Sequence, residues 1–154
     1  MAKEIERQFI VEHVPFSLDK FPHSEIEQGY LVISENGDEI RVRSRSGKFY
    51  QTYKSGTGLT REEIKIELNE TQFNTLWPLT AECRIKKVRY KIPWERYTID
   101  LDIYEDKLKG FISAEVEFKS EQASREFVPP DWFGKEVTHD ERYKNRNLAR
   151  FGLP

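Results

Sequence analysis

Short segments of this sequence alternate, residue by residue, between charged and apolar side chains. In the first segment, residues 3–11, Glu4, Glu6 and Gln8 occupy every second position, and apolar residues hold most of the positions between them. Successive side chains of a strand point to opposite sides, so the two acids share one face. Because isolated buried carboxylates cost more free energy than a fold can supply, this face must meet water or cations.

Eight such segments predict eight antiparallel strands, which favours a closed sheet with a small interior. The predicted strands cover residues 3–11, 28–33, 39–45, 48–54, 61–68, 84–92, 97–104 and 114–118. Asn36-Gly37 predicts a hairpin turn between the second and third strands. A short helix is predicted at residues 72–77, capped by Thr71 and ended by Pro78. Residues 16–22 are predicted to form either one helical turn or a loop packed on the outside of the sheet.

Charges of one sign are grouped on single strands. Arg41, Arg43 and Arg45 share a face of the third strand, an arrangement that suits either a water-exposed face or a cavity that binds an anion such as phosphate. The acidic pairs on other strands are Asp100 with Asp102 and Glu115 with Glu117. Because an exposed protein surface usually mixes signs, this grouping favours a charged interior. A conventional barrel with a charged exterior stays open as the alternative.

Composition narrows the class of protein. A chain of 154 residues predicts one domain, residues 1–154. Its 25 basic and 27 acidic residues are balanced, which argues against a nucleic-acid partner. The single cysteine, Cys83, excludes an internal disulfide and favours a reducing compartment. No apolar stretch is long enough for a signal peptide or a membrane span, so the expected location is the cytoplasm, with no membrane partner.

The opening Glu-Ile-Glu-Arg-Gln-Phe, residues 4–9, resembles the signature of CYTH domains, also called triphosphate tunnel metalloenzymes. That signature reads Glu-x-Glu-x-Lys, and Gln8 stands where it has lysine. Further resemblance lies in the order of weaker motifs along nearly the whole chain. These are Arg41-x-Arg43, Lys54 before Ser-Gly, the strand around Glu63, Lys87-x-Arg89, the strand of Asp102, Glu115-Val-Glu-Phe118 and Arg142-Tyr-Lys-Asn145.

The resemblance implies a β-rich α+β fold, in which eight antiparallel strands close into a barrel around a charged tunnel. Short helices would pack outside, and a C-terminal helix would close the tunnel near Tyr30 and Lys144. The implied substrate-binding residues are Arg41, Arg43, Lys54, Lys87, Arg89 and Gln8, with Arg45 and Lys65 nearer a mouth. The implied ligands of Mg²⁺ or Mn²⁺ are Glu4, Glu6, Asp102, Glu115 and Glu117. The implied catalytic residues are Glu4, Glu6, Glu63 and Lys87, with Glu63 as a base that orients the attacking water.

The activity that the resemblance implies is metal-dependent hydrolysis of inorganic triphosphate (tripolyphosphate) to pyrophosphate and phosphate, as in short bacterial members. The partner would be inorganic triphosphate or another small molecule that bears a triphosphate, and a homodimer stays open. Alternatives of the same fold are a nucleoside or thiamine triphosphatase and a class IV adenylate cyclase. A further alternative is a polyphosphate-binding module with weak turnover, because Gln8 carries no charge.

Overall fold

The computed structural model describes residues 2–154 and contains eight strands and three α-helices in that range. The strands are β1 (Ala2–Ile10), β2 (His23–Ile33), β3 (Glu39–Arg45), β4 (Lys48–Ser55), β5 (Thr60–Leu68), β6 (Arg84–Trp94), β7 (Tyr97–Tyr104) and β8 (Ile112–Phe118). The helices are α1 (Glu70–Leu76), α2 (Glu121–Glu126) and α3 (Asn145–Phe151). Single 3-10 turns cover Trp77–Thr80, Asp106–Leu108 and Glu141–Tyr143.

The strands form one closed antiparallel barrel in the order β1-β5-β4-β3-β2-β6-β7-β8. The predicted closed sheet is therefore confirmed. Closure pairs β1 with both β5 and β8, so that Glu4 lies beside Arg61 on one side and Gln8 beside Glu115 on the other. β2 begins five residues earlier than predicted, because the outward positions of its first half are the exposed Glu25 and Glu27, which give no apolar signal.

The barrel turns its charged face inward and its apolar face outward, so the alternative of a charged exterior is wrong. Outward residues of β1, β7 and β8, such as Phe9, Leu101 and Val116, pack in a cluster with Phe127. A second cluster holds the outward Val42 against α1. Trp132, Phe133 and residues of the 16–22 loop also pack on the first cluster. Segments outside the barrel thus supply the apolar contacts that a barrel interior normally provides.

The first helix differs from its prediction in its start and its cap. Asn69, rather than Thr71, is the N-cap, because its side chain accepts a hydrogen bond from the backbone N–H of Gln72 while the Gln72 side chain bonds back to the N–H of Asn69. This reciprocal pair satisfies two free N–H groups at once. Pro78 does not stop the helical turn either, since it lies in the first turn of the 3-10 segment that follows.

Helix α3 closes one end of the barrel. Leu148 and Ala149 are fully buried against Tyr104, Phe111 and Ile85 at that end. This apolar cluster fills the part of the interior into which α3 packs, and it leaves the charged space on the far side. None of the helices in residues 2–154 combines the length and the apolar composition that crossing a membrane requires.

Candidate functional site

The inward faces of the strands surround a charged cavity of about 220 Å³. Its lining residues are Glu4, Glu6, Gln8, Tyr30, Glu39, Arg41, Arg43, Arg45, Lys54, Arg61, Glu63, Lys65, Arg89, Lys91, Asp100, Glu115, Glu117, Lys144 and Asn145. Within the described chain, nine of these are basic and seven acidic, although the whole chain has a formal net charge of -2. A cavity with excess positive charge and low-dielectric walls concentrates anions.

Arg43 on β3 is held in place by a buried glutamine of the neighbouring strand. Its Nε and Nη2 both donate to Oε1 of Gln28, at 2.9 and 2.7 Å, and the Gln28 amide donates to the hydroxyl of Tyr30 at 3.0 Å. Burial, together with the charges of Arg41 and Arg89, lowers the pKa of Arg43 to about 9. Arg43 forms no ion pair with a carboxylate within residues 2–154, so an anion that reaches it is stabilised.

Arg41, two residues along the same face, has a donor without a partner. Its buried Nε forms no hydrogen bond in the described structure. A buried donor left unpaired costs about 1–3 kcal/mol, and Arg41 lines the cavity. An anion in the cavity is therefore a natural partner for this guanidinium.

Lys54 on β4 links the basic and acidic sides of the cavity. Its Nζ lies 2.7 Å from Oε1 of Glu4 and 3.8 Å from Oε2 of Glu63. Burial alone would raise the pKa of Glu4, but the Lys54 charge, hydrogen bonds with Glu63 and Lys54 and the Arg41 charge together outweigh burial, and the pKa falls to about 2. Glu63 shows the opposite result, because burial and its hydrogen bond with Glu4 raise its pKa. Glu4 is thus held ionised, whereas Glu63 is able to accept and release a proton.

The basic neighbours of Glu6, Lys54 and Lys144, do not offset its burial and its acidic neighbours. Burial, then the charges of Glu115 and Glu4, raise the pKa of Glu6 well above its usual range. Burial, then Glu4 and Asp100, likewise raise the pKa of Glu117. The ladder between β1 and β8 explains the crowding, since Glu6 pairs with Glu117 and Gln8 pairs with Glu115. This wall of the cavity therefore needs a cation.

The chemistry of this acidic wall fits a hard divalent cation. Carboxylate oxygens are the ligands that Mg²⁺ and Mn²⁺ prefer, and Glu4, Glu6, Glu115 and Glu117 all face the cavity. In residues 2–154 no three His, Cys, Asp or Glu side chains already form a close metal-binding group. Glutamate side chains have three rotatable bonds, so these carboxylates can reorient toward a cation.

The cavity opens at the end of the barrel away from α3. Its walls near α3 are buried, with Tyr30 only 4%, Glu39 3% and Lys144 9% exposed. At the other end Lys65 and Glu117 are exposed to solvent. The interior is therefore a chamber with one mouth in this structure, rather than a passage that is open at both ends.

Comparison with known proteins identifies the family to which this architecture belongs. The family model of the CYTH domain matches residues 2–150. This chain belongs to the CYTH domain family. Among its CYTH relatives is the inorganic triphosphatase of Nitrosomonas europaea, 42% identical over 149 residues, which are 95% of this chain and 96% of the relative. The inorganic triphosphatase of Acetivibrio thermocellus is 37% identical over 153 residues, 97% of this chain and 95% of the relative.

A crystal structure of an inorganic triphosphatase superposes on this CYTH barrel with a TM-score of 0.73. That pair is 37% identical, and the match covers 100% of this chain and 99% of the solved one. Members of the CYTH family are generally metal-dependent.

Gln8 lines the CYTH cavity at the position where the family motif has lysine. Its side-chain amide donates to the backbone carbonyl of Tyr143 at 3.4 Å, and its backbone N–H donates to Oγ1 of Thr138 at 3.1 Å. The segment that leads into α3 therefore lies directly against Gln8.

Lys87 and Asp102 do not reach the CYTH cavity wall, although strand alternation placed both on inward faces. Both side chains are fully buried, and Lys87 Nζ lies 2.7 Å from Oδ2 of Asp102. Asp102 also accepts two hydrogen bonds from Arg89, at 2.8 and 2.9 Å. The Arg89 and Lys87 charges outweigh burial and lower the pKa of Asp102 below its usual range. Its oxygens are therefore already occupied by protein cations, which disfavours the predicted role as a metal ligand.

Several cavity residues were not predicted as site residues. Glu39, Arg61, Lys91 and Asp100 have the inward parity of their strands, so alternation alone could have identified them. Asn145 lies at the start of α3, and its only sequence signal was its place in the Arg142-Tyr-Lys-Asn145 motif, which predicted closure of the tunnel but gave Asn145 no role of its own. Arg45 and Lys65, predicted nearer a mouth, line the cavity along with Tyr30 and Lys144, predicted at its closure.

Proposed function

We propose that this protein hydrolyses inorganic triphosphate to pyrophosphate and phosphate in a reaction that requires Mg²⁺ or Mn²⁺. The observation that carries the proposal is the size of the charged cavity. Pockets for organic ligands commonly measure about 300–1,000 Å³, whereas this cavity measures about 220 Å³ and has no aliphatic side chain among its described lining residues. A compact inorganic polyanion fits such a space better than a whole nucleotide, and both named relatives are inorganic triphosphatases.

The basic residues of the cavity bind and orient the substrate. Arg41, Arg43 and Arg89 would donate forked hydrogen bonds to phosphate oxygens, and Lys54 would add a point charge. Gln8 would contribute a neutral hydrogen bond. Because water screens charge poorly in a confined cavity, these contacts are stronger there than on a surface.

The acidic residues would bind the cation and accept the proton that the attacking water loses. Glu4, Glu6, Glu115 and Glu117 would hold Mg²⁺ or Mn²⁺, which when bound neutralises phosphate charge and polarises the phosphorus–oxygen bonds. Glu63 would take a proton from water as the water oxygen attacks the terminal phosphorus and the bridging bond to the pyrophosphate breaks. Its raised pKa suits a group that must accept that proton and release it again.

We reassign Lys87 and Asp102 from direct catalysis and metal binding to the support of Arg89. The carboxylate of Asp102 fixes the Arg89 guanidinium through two hydrogen bonds, and Lys87 neutralises the remaining charge of the pair. The wider proposal is that residues 1–154 act as one cytoplasmic domain on a small triphosphate, without a nucleic-acid partner. Whether the protein forms a homodimer is tested by measuring the mass of the purified protein in solution.

The deciding experiment is a phosphate-release assay with tripolyphosphate, ATP and thiamine triphosphate. Each substrate is tested with Mg²⁺, with Mn²⁺ and with excess chelator. We expect tripolyphosphate to be cleaved with the highest kcat/KM and all activity to vanish in chelator. Preferred cleavage of ATP or thiamine triphosphate would replace the proposed substrate. Tight binding of tripolyphosphate without phosphate release would favour a binding module.

A further inference from the structure

Two arginines of the cavity are held along the same edge of the guanidinium by different partners. Arg43 donates from Nε and Nη2 to Oε1 of Gln28, at 2.9 and 2.7 Å. Arg89 donates from the same two nitrogens to the carboxylate of Asp102, at 2.8 and 2.9 Å. Both guanidinium groups are therefore fixed in place, but only the partner of Arg89 carries a charge.

Gln28 is fully buried, and both ends of its amide are in use. It is the register partner of Arg43 in the ladder between β2 and β3, which brings the two side chains together. Its Oε1 accepts both bonds from Arg43, while its Nε2 donates to the hydroxyl of Tyr30 at 3.0 Å. An amide with a partner at each end cannot turn over without losing contacts. Gln28 is thus a fixed and neutral support for Arg43.

The charge of the partner changes the pKa of each guanidinium. Burial would lower the pKa of Arg89, but the charge and hydrogen bonds of Asp102 and the charges of Glu115 and Asp100 raise it above its usual range. Arg43 has no carboxylate within ion-pair distance in residues 2–154, and burial lowers its pKa to about 9. A positive charge that is fixed in place but not neutralised attracts an anion that enters the cavity.

Nη1 is the nitrogen of Arg43 that its support leaves free. It forms no hydrogen bond within residues 2–154, and Arg43 lines the cavity. Because the guanidinium is planar and its other two nitrogens are held by Gln28, the direction of the Nη1 donors is fixed as well. Arg43 therefore combines a set orientation with an unused donor group.

We propose that Gln28 is a positioning residue that fixes Arg43 for the phosphate chain and, because it is neutral, leaves the positive charge of Arg43 to the substrate. The inference rests on the proposed function, since it names the side chain that prepares one substrate-binding arginine. It also separates the cavity arginines into two kinds. Arg89 offers a hydrogen-bond donor whose charge is compensated by Asp102, whereas Arg43 offers a donor whose charge is not compensated.

Two substitutions at position 28 separate support from charge. Gln28→Glu keeps the size of the side chain and its bonds to Arg43 but neutralises the guanidinium, whereas Gln28→Met removes the bonds and leaves the charge. With tripolyphosphate and Mg²⁺, we expect KM to rise about tenfold in Gln28→Glu, as for the loss of one charge-assisted contact, and to rise less in Gln28→Met. A wild-type KM for Gln28→Glu, or a larger rise in Gln28→Met, would overturn the inference.

The stability of the ligand-free protein should follow a different order. Gln28→Glu supplies the counter-charge that Arg43 lacks, so its urea midpoint of unfolding at pH 7 should lie above that of the wild type. Gln28→Met leaves buried donors of Arg43 unpaired, so its midpoint should fall. A residue that only supports the fold would change stability and KM together, whereas here the more stable variant binds the substrate less tightly.

The unfolding measurement needs neither substrate nor metal. If the wild type neither binds nor cleaves tripolyphosphate, the proposed function fails, while the order of the midpoints still decides whether Gln28 leaves the charge of Arg43 uncompensated. A midpoint for Gln28→Glu at or below that of the wild type overturns the inference even in an active enzyme.

Gln51→Glu is the matched control. Gln51 lies on β4, beside β3, but on the outward face, since its register partner is the outward Val42. It is not among the described residues that line the cavity. The variant makes the same chemical change and the same change of net charge outside the cavity, so we expect an unchanged KM. A KM increase equal to that of Gln28→Glu would show that negative charge anywhere on the sheet weakens binding, and would overturn the proposal.

Discussion

Glu6 and Arg43 are opposite cases of the same imbalance. Glu6 is surrounded by other acids and has a raised pKa, whereas Arg43 is surrounded by other bases and has a pKa lowered to about 9. Burial removes both charged groups from water, and the chain itself places too little opposite charge near either of them to compensate. One polyanion and one divalent cation, bound together, would neutralise the excess charge on both walls of the cavity.

Substitutions on the two walls should therefore have different kinetic effects. We expect Arg41→Ala and Arg43→Ala mainly to raise the KM for tripolyphosphate, by roughly 10- to 150-fold for a lost charge-assisted contact of about 1.5–3 kcal/mol. We expect Glu6→Ala and Glu117→Ala mainly to abolish metal-supported turnover. Steady-state kinetics across Mg²⁺ concentrations separates the two classes.

The control for this series is Lys86→Ala, which removes an outward-facing charge from β6. Within residues 2–154 its one ion pair is with Glu105, at 3.8 Å. Its kinetics should match the wild type. Wild-type kinetics for all four cavity variants as well would mean that these side chains make no contact with the ligand.

At the scale of elements, Glu39 joins two strands and a helix at the closed end of the barrel. Its Oε1 lies 3.0 Å from Nη1 of Arg61 on β5 and 3.1 Å from Nη1 of Arg146 on α3. Arg146 also reaches Glu141, at 2.9 Å, but that carboxylate is 40% exposed whereas Glu39 is 3% exposed. The two acids on Arg146 thus provide a comparison between a buried acid with two guanidinium partners and an exposed acid with one.

We predict that Glu39→Gln lowers the free energy of unfolding at pH 7 by about 3 kcal/mol, because it leaves buried guanidinium groups without their anion. Glu141→Gln should cost under about 1 kcal/mol, as exposed pairs do. Urea unfolding of both variants gives the comparison. Equal costs would mean that the buried network does not hold α3 in place.

The effect of Glu39 should also depend on pH. Burial would raise its pKa, but Arg41 and Arg61 outweigh burial and lower it below the ordinary value of 4.5. A carboxyl with a lowered folded pKa contributes stability above its unfolded pKa, and that contribution is lost as pH falls through the folded pKa. The difference between wild type and Glu39→Gln should therefore be constant near neutrality and shrink below about pH 4.5. A difference that grew on acidification would contradict this assignment.

Strand alternation was sufficient to predict most of each strand and which charges share a face, but the choice of the inward side rested on the grouping of charges by sign. Alternation is informative because its period of two residues is a local property of a strand. It is visible in the five or six residues around Arg41 and around Glu117. It could not distinguish Asp100, which lines the cavity, from Asp102, which lies behind it, since depth along the barrel depends on where α3 packs. It also gave no place for Asn145, because that position is set by long-range contacts of the C-terminal segment.

For the whole molecule, the formal net charge of -2 coexists with a cavity in which basic residues outnumber acidic ones. The cavity lining therefore carries a formal positive excess, and the rest of the chain carries a formal negative excess. This separation favours small anions that can enter over large ones that can only touch the surface.

Binding of a divalent cation should stabilise the fold as a whole. A ligand that binds only the folded state raises the free energy of unfolding by about 2.7 kcal/mol at 100 times its Kd. We predict that millimolar Mg²⁺ or Mn²⁺ raises Tm and that NaCl of equal ionic strength does not, because only a site ligand relieves the repulsion around Glu6. Glu6→Gln should reduce the response. A Tm that responds equally to NaCl would reduce the effect to general screening.

The closed end at α3 has a consequence for the order of events. In a chamber with a single mouth, a group that is bound deeper cannot leave before a group that is bound nearer the mouth. The two fragments of a cleaved chain must then leave in a fixed sequence, and the inner one must wait for the outer. We expect one product to inhibit competitively with the substrate and the other to inhibit in a different pattern. Release of product through the mouth should be the rate-limiting step.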